Sequence, residues 1–163
     1  MESTPELLFR LAGPEDLEGL VSARLMVLRA ANGLAPNAPL PQVEAETRRY
    51  FAEGLRTGSF AAVLVLAGGE LAATGGVSFY EVMPTCHTPT GKKAYIMNMY
   101  TDPAWRRKGL ATRVLDRLVR ECRARGVSTI TLEATAMGRP VYERYGFVPM
   151  ECEMELPAGP DEN

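Results

Sequence analysis

One helix held between two strands limits the folds open to this chain more than anything else in it. From Gly109 to Arg125 the residues Leu110, Val114, Leu118 and Cys122 form one row, and Ala111, Leu115 and Val119 sit beside it. That is the period of an amphipathic helix, whose apolar stripe must be covered by another element. Gly126 supplies its C-terminal stop. Ahead of it, Ala94 to Thr101 (AYIMNMYT) is strand-like, and Asp102-Pro103 ends the run. Behind it, Val127 to Ala134 alternates as a strand.

The remaining elements follow the same logic. Leu7 to Leu11 is a short apolar run that suits a first strand. Gly13-Pro14-Glu15-Asp16 starts a helix, with proline in the first turn and two acids near the positive end of the dipole. Leu17, Leu20, Val21, Leu25 and Leu28 recur along it at three- and four-residue steps until Gly33. A loop with three prolines, Asn32 to Pro41, leads to a second helix over Gln42 to Thr57, with Val43, Tyr50, Phe51 and Leu55 as expected buried positions. Ser59 to Ala67, the turn Gly68-Gly69 and Leu71 to Val82 read as a β-hairpin. Met83 to Lys93 is a loop, Gly138 to Tyr145 a short helix ending in Gly146, and Phe147 to Leu156 a final strand. This order predicts an α/β fold, a mixed central β-sheet flanked by helices. One domain is expected over 7–156, with 157–163 (PAGPDEN) as a flexible tail.

Composition closes off several classes. At 163 residues, 46% hydrophobic and 23% charged, the chain fits one soluble domain rather than a fibre, a disordered acidic tail or a basic nucleic-acid coat. No apolar run approaches the roughly 20 residues that span a bilayer. The start, MESTPELLFR, lacks the basic and apolar regions of a signal peptide. Cys86, Cys122 and Cys152 are an odd set without CxxC spacing, which suits a reducing, cytoplasmic compartment. The one histidine, His87, stands beside Cys86, too few ligands for a zinc site, so no metal is expected and His87 reads as a loop residue. There is no GxSxG elbow, and Cys122 lies in the apolar row of its helix, as a packing residue does.

Charge is more informative locally than in total. The chain carries 18 Lys and Arg against 20 Asp and Glu. Between 106 and 125, however, eight basic residues (Arg106, Arg107, Lys108, Arg113, Arg117, Arg120, Arg123, Arg125) face only Asp116 and Glu121. The first three lie in the loop between strand and helix, and Gly109 opens the helix. Free N–H groups at a helix start, next to a glycine that permits close approach, make a cradle for a diphosphate. The loop is neither a Walker loop nor a GxGxxG. Spacing alone leaves two readings open, the cradle and a capped helix with a solvated basic face.

The segment Arg106-Arg107-Lys108-Gly109-Leu110-Ala111 resembles the Arg/Gln-x-x-Gly-x-Gly/Ala signature of the GNAT superfamily of N-acetyltransferases. Downstream, Gly138-Arg139-Pro140-Val141-Tyr142-Glu143-Arg144-Tyr145-Gly146-Phe147 is similar to that superfamily's late YE..GF segment. Two motifs about thirty residues apart, with a helix and a strand between them, are far more specific than either alone, and the upstream element order agrees.

The resemblance implies a GNAT-like sheet, splayed near a site for acetyl-CoA. It implies that Met99, Tyr100 and Thr101 bind the pantetheine arm through their backbone. Amides from Arg107 through Gly109, Leu110, Ala111 and Thr112 would hold the pyrophosphate, with Arg106 and Lys108 adding charge. Tyr142 falls on the tyrosine that protonates the departing thiolate in many members; its other role is packing beside Phe147. The chemistry implied is direct attack of an amine on the thioester, which needs a base to take the ammonium proton. Some relatives carry that base on the strand before the cradle, but residues 94–101 contain no acid. Glu81 and Glu133, each at a strand end, are the candidates, as are waters held by Asn98 or Tyr95.

The function expected is thus an acetyl-CoA-dependent N-acetyltransferase acting on a small-molecule or peptidyl amine. An acyl-CoA-binding module with little catalysis is the alternative. A nucleic-acid partner is disfavoured, because the residues outside 106–125 carry ten basic against eighteen acidic side chains. A membrane partner is not expected, and a homodimer would be in keeping with such folds. The superfamily sets its acceptor by the first two helices and the cleft loops, here about residues 26–45 and 80–93.

Overall fold

The strand ahead of the basic loop is where the sheet changes character. The structure, a computed structural model, describes residues 4–160. The first three residues of the start and the last three of the expected tail lie outside that range. The chain divides into two compact units, one running to Glu133 and the other from Ala134.

The first unit holds strands β1 (Leu7–Leu11), β2 (Phe60–Ala67), β3 (Glu70–Glu81), β4 (Lys92–Thr101) and β5 (Thr129–Leu132). Its helices are α1 (Leu17–Ala31), α2 (Pro41–Thr57) and α3 (Leu110–Ala124). The strands lie in the order β1-β2-β3-β4-β5. All neighbours are antiparallel except β4 and β5, which run parallel and are joined through α3. The sheet is therefore mixed, as expected.

Alternation along β2 divides the core between the two faces. Phe60, Ala62 and Leu64 pack with Leu20, Val21 and Leu25 of α1 and Phe51 of α2. On the other face α3 buries Leu110, Val114, Leu115, Leu118, Val119 and Cys122. The entry to α1 is fixed by one carboxylate. Asp16 accepts hydrogen bonds from Arg10 Nη1 at 2.7 Å, Arg10 Nη2 at 2.8 Å and the Gly13 amide at 2.8 Å. The Arg10 guanidinium holds the Asp16 carboxyl below its ordinary range, so this clamp is intact above that range and is lost in acid.

The second unit holds α4 (Arg139–Tyr145) and the residues after it. The expected final strand over Phe147–Leu156 does not form: these residues make no strand pairing. Val148, Met150, Met154 and Leu156 are exposed, Met154 at 99%. Apolar residues alternating with glutamates mimic a strand's pattern, but Pro149 removes a donor and a strand without a paired neighbour has little to hold it.

Two expected core positions of α2 are also exposed, Val43 at 39% and Tyr50 at 38%. The residues of α2 that are buried are Phe51 and Gly54. Val43 sits in the first turn, two turns ahead of them. Tyr50 stands at the border of that face, its ring centroid 5.7 Å from that of Phe60 in an edge-on arrangement and its hydroxyl hydrogen-bonded to Ser78.

Gly54 is where helix propensity and packing disagree. Alanine is ordinarily better than glycine inside a helix by about 1 kcal/mol. A Cβ at Gly54 would fall inside contact distance of Phe60 Cβ, an atom fixed by the β2 backbone. Gly54→Ala is therefore expected to lower stability by about 1–2 kcal/mol, overpacking outweighing propensity. Urea unfolding checks this; a gain in stability would mean that α2 does not depend on the close approach.

Candidate active site

The β4–β5 ladder runs from the pair Lys93 and Thr129 to the pair Ile96 and Leu132 and stops there. On the β3 side, β4 stays paired as far as Thr101. Met97 to Thr101 thus has a strand partner on one side and an open edge on the other. Buried or not, backbone N–H and C=O groups seek partners, so this stretch is prepared to hydrogen-bond an extended ligand.

A bulge shapes the same stretch. The β3 register runs from Gly76 opposite Met97 to Thr74 opposite Tyr100, leaving Asn98 and Met99 both facing Gly75. Asn98 adopts φ 59°, a left-handed conformation that asparagine tolerates better than most residues. Gly75 is needed for space: a Cβ there would lie 2.5 Å from Met99 Sδ and 2.8 Å from Val114 Cγ1. Met99 therefore lies under α3. On the opposite face, Asn98 and Tyr100 reach α1, through Arg24 and Met26. Burial, aided by the charge of Asp102, pushes the Tyr100 phenol up.

After β4 the chain turns tightly into α3. Asp102 accepts a hydrogen bond from the Ala104 amide at 2.8 Å and starts a short 3-10 turn, Pro103–Trp105. Arg106 Nε donates to the Thr101 carbonyl at 3.2 Å, closing the loop onto the end of the strand. The Lys108 ammonium stands 5.1 Å from the Trp105 ring centroid. Arg107 and Gly109 both have positive φ, 62° and 75°. Gly109 is the N-cap of α3, and no side chain caps that helix. The first intrahelical partner of its carbonyl is the Arg113 amide, which leaves the amides of Leu110, Ala111 and Thr112 facing the loop. The first turn contains no acid. A loop of three basic residues and a helix start with three unused amides thus follow directly on the open edge of β4, an arrangement suited to a chain-like ligand with an anionic end.

Known proteins share this arrangement of elements. The model of the acetyltransferase (GNAT) family matches residues 28–147. The chain belongs to the GNAT acetyltransferase family. It is 33% identical over 129 residues, 77% of this chain and 74% of the relative, to glucosamine 6-phosphate N-acetyltransferase 1 of Oryza sativa subsp. japonica. Among solved structures, a predicted acetyltransferase from Clostridium acetobutylicum with acetyl-CoA is 36% identical, with TM-score 0.85 over 93% of this chain and 96% of that one. A GCN5-related N-acetyltransferase from Ralstonia eutropha JMP134 is 29% identical, with TM-score 0.78 over 94% and 99%.

Within the GNAT fold the two glutamates singled out as bases occupy different places. Glu81 pairs with Lys92 at the start of β4. That is five residues, about 17 Å at 3.3–3.4 Å per residue, from Met97. It lines an open depression of about 430 Å³ together with Lys92, Lys93 and Arg125. Glu133 follows Leu132, the last residue of β5 paired with β4, and is exposed. The register brings Glu133, and not Glu81, to the mouth of the opening.

Tyr142 belongs to the second unit. It lies on α4, with its ring 6.3 Å from that of Phe147 in an edge-on arrangement. Burial pushes its phenol up, which keeps it protonated at neutral pH. Cys122 is wholly buried and its thiol is pushed up to about 11 by that burial, as a packing residue's would be. His87 sits in a turn closed by hydrogen bonds between Thr85 and Thr88. Among the described residues, no cluster of three or more metal-ligating side chains occurs, and no helix is long and apolar enough to cross a membrane.

Sequence reasoning passed over Arg24. The signal was present: Arg24 falls three residues after Val21 and four before Leu28, a charged residue on the apolar stripe of α1.

The Asp102 cap holds the loop that carries Arg106 to Gly109. Asp102→Ala is expected to lower stability by about 1 kcal/mol, the usual worth of such a cap. Denaturant unfolding checks it; no change in the midpoint would mean that Arg106 and the prolyl turn hold the loop alone.

Proposed function

We propose that this GNAT protein moves the acetyl group of acetyl-CoA to a primary amine by direct attack. One observation carries the proposal: the open edge of β4 leads through a basic loop to uncapped amides at the start of α3. The Clostridium relative with acetyl-CoA, similar over nearly the whole of both chains, supports the same cosubstrate. In this reading the backbone of Met99, Tyr100 and Thr101 holds the pantetheine arm. The amides of Arg107 to Thr112 take the pyrophosphate, and Arg106 and Lys108 add charge.

The chemistry needs three protein roles. The ammonium of the acceptor must first lose a proton, and of the two candidate glutamates Glu133 is the nearer to the opening in register, acting directly or through water. Glu81 is disfavoured by its distance along β4. The neutral amine then attacks the thioester carbonyl. As the C–N bond forms, the carbonyl oxygen gains charge, and a β4 amide at Met99 or Tyr100 donates to it. The C–S bond breaks, the thiolate takes its proton from the Tyr142 hydroxyl, which burial holds in the protonated form, and the proton shed by the new amide nitrogen returns through water to the phenolate. The rice relative acts, by its name, on glucosamine 6-phosphate, which makes that amino sugar the first acceptor to try.

Acetyl-CoA at 100 times its Kd is expected to stabilise the protein by about 2.7 kcal/mol. Gly109→Glu, which places a carboxylate in the cradle at a left-handed position, is expected to abolish that shift. An undiminished shift would move the cofactor site elsewhere, and binding without thiol release across an amine panel would leave a binder rather than an enzyme. Tyr142→Phe is expected to lower kcat about 100-fold, within the usual range for a general acid, while acetyl-CoA still binds. Unchanged turnover would remove Tyr142 from the chemistry and leave it the packing role beside Phe147.

A further inference from the structure

Arg24 is half-buried on α1, and burial lowers its pKa, so its guanidinium is held partly out of water. Its one hydrogen bond among the described residues is from Nη1 to Asn98 Oδ1 at 3.2 Å, and Asn98 is neutral. Seven other arginines, including Arg10, Arg48 and Arg125, pair with a carboxylate, but no ion pair forms at Arg24 among the described residues. A guanidinium offers five N–H donors in a planar fork, and a partly desolvated cation without a counter-charge is costly to keep.

Its position gives that cost a use. Asn98 is the left-handed residue of the β4 bulge, within the stretch that has left β5. Two residues on, the Tyr100 hydroxyl reaches Met26 Sδ at 4.0 Å, so one turn of α1, Arg24 to Met26, lies over residues 98–100. Met26 is itself 42% exposed. Arg29, one turn later, is already tied to the Ala38 carbonyl at 2.8 Å and takes no part. We infer that Arg24 reads an anionic group, phosphate or carboxylate, on the amine acceptor, with Asn98 holding one end of the fork and the remaining N–H groups taking the anion. This inference rests on the acetyltransferase reading above, and it narrows the acceptor to amines that carry negative charge.

The test compares amines in matched pairs: glucosamine 6-phosphate against glucosamine for phosphate, and β-alanine against β-alaninamide for carboxylate. The wild type is expected to favour the anionic member of one pair in kcat/KM by about 10- to 100-fold, the scale of a hydrogen bond to a charged group. Arg24→Gln is expected to collapse that ratio towards one through KM for the amine, and Arg24→Lys to restore part of it. Asn98→Ala removes the prop and keeps the charge, and so is expected to retain the preference. A wild type indifferent to charge in both pairs overturns the inference. So does an Arg24→Gln variant that weakens both members of a pair equally, since that is what loss of a structural strut would do. Calorimetric binding of the same four amines makes the comparison without turnover. An Arg24-dependent preference in binding with no acetylation would overturn the transferase reading alone, and acetylation without the preference would overturn this one alone.

Discussion

The structure depends on a strand that loses one of its two neighbours half-way along. β4 is paired on both sides as far as Ile96, and beyond that only to β3. An unpaired edge inside a sheet is unfavourable unless other groups meet its N–H and C=O groups. The fold leaves the edge open and stabilises what surrounds it. The bulge at Asn98 and Met99 bends the strand, and Gly75 gives up a side chain so that α3 can pack above Met99. Arg106 and Asp102 then fold the following loop back onto the strand end. The opening is thus a stable feature of the first unit.

The basic stretch from 106 to 125 divides by what each side chain touches. Arg120 pairs with Asp116 on the exposed surface of α3, and Arg125, at its C-cap, with the partly buried Glu121. Such pairs contribute little to stability, and their charge is neutralised locally. Arg113 stacks 3.8 Å from the Phe9 ring centroid, and Arg125 also covers Phe79 at 4.2 Å, so these two serve as struts from α3 to the sheet. The excess charge that remains in the loop is that of Arg106, Arg107 and Lys108, ahead of a helix start with no acid in its first turn. Field and geometry coincide over a few residues, which a net charge near zero conceals.

How much of this was legible in the sequence depends on whether the information was local. The α3 stripe, the Gly68-Gly69 hairpin and the stop at Asp102-Pro103 are carried by neighbouring residues, and the structure agrees with each. Phe147–Leu156 alternates as a strand would, yet alternation states only which side chains point together; pairing requires a partner that the segment does not name. Val43 and Tyr50 failed as core positions for a related reason, because a helix's apolar face is read from spacing, whereas how far the sheet extends beneath it is not. The two glutamates were equivalent as strand-end carboxylates until the register separated them. Register is a property of two strands at once, and no pattern within one strand encodes it.

Arg24 shows the converse, a local signal that the usual rule discards. A charged residue on an apolar stripe is commonly dismissed as an imperfection in the pattern, since long side chains carry their heads to water. Here the head goes to Asn98 instead. That hydrogen bond requires Asn98 to face α1, and the bulge decides that facing: one extra residue in β4 restores the alternation so that Met99 lies under α3 while Asn98 and Tyr100 turn to α1. Without the bulge, residues beyond it would exchange faces, since successive strand residues alternate. The same irregularity therefore governs both faces of the opening. It sets the packing against α3, next to the proposed cofactor cradle, and it sets the side chains presented to α1, where the proposed acceptor charge is read. A substitution that straightened β4 would disturb both faces together, whereas removal of Arg24 touches only one.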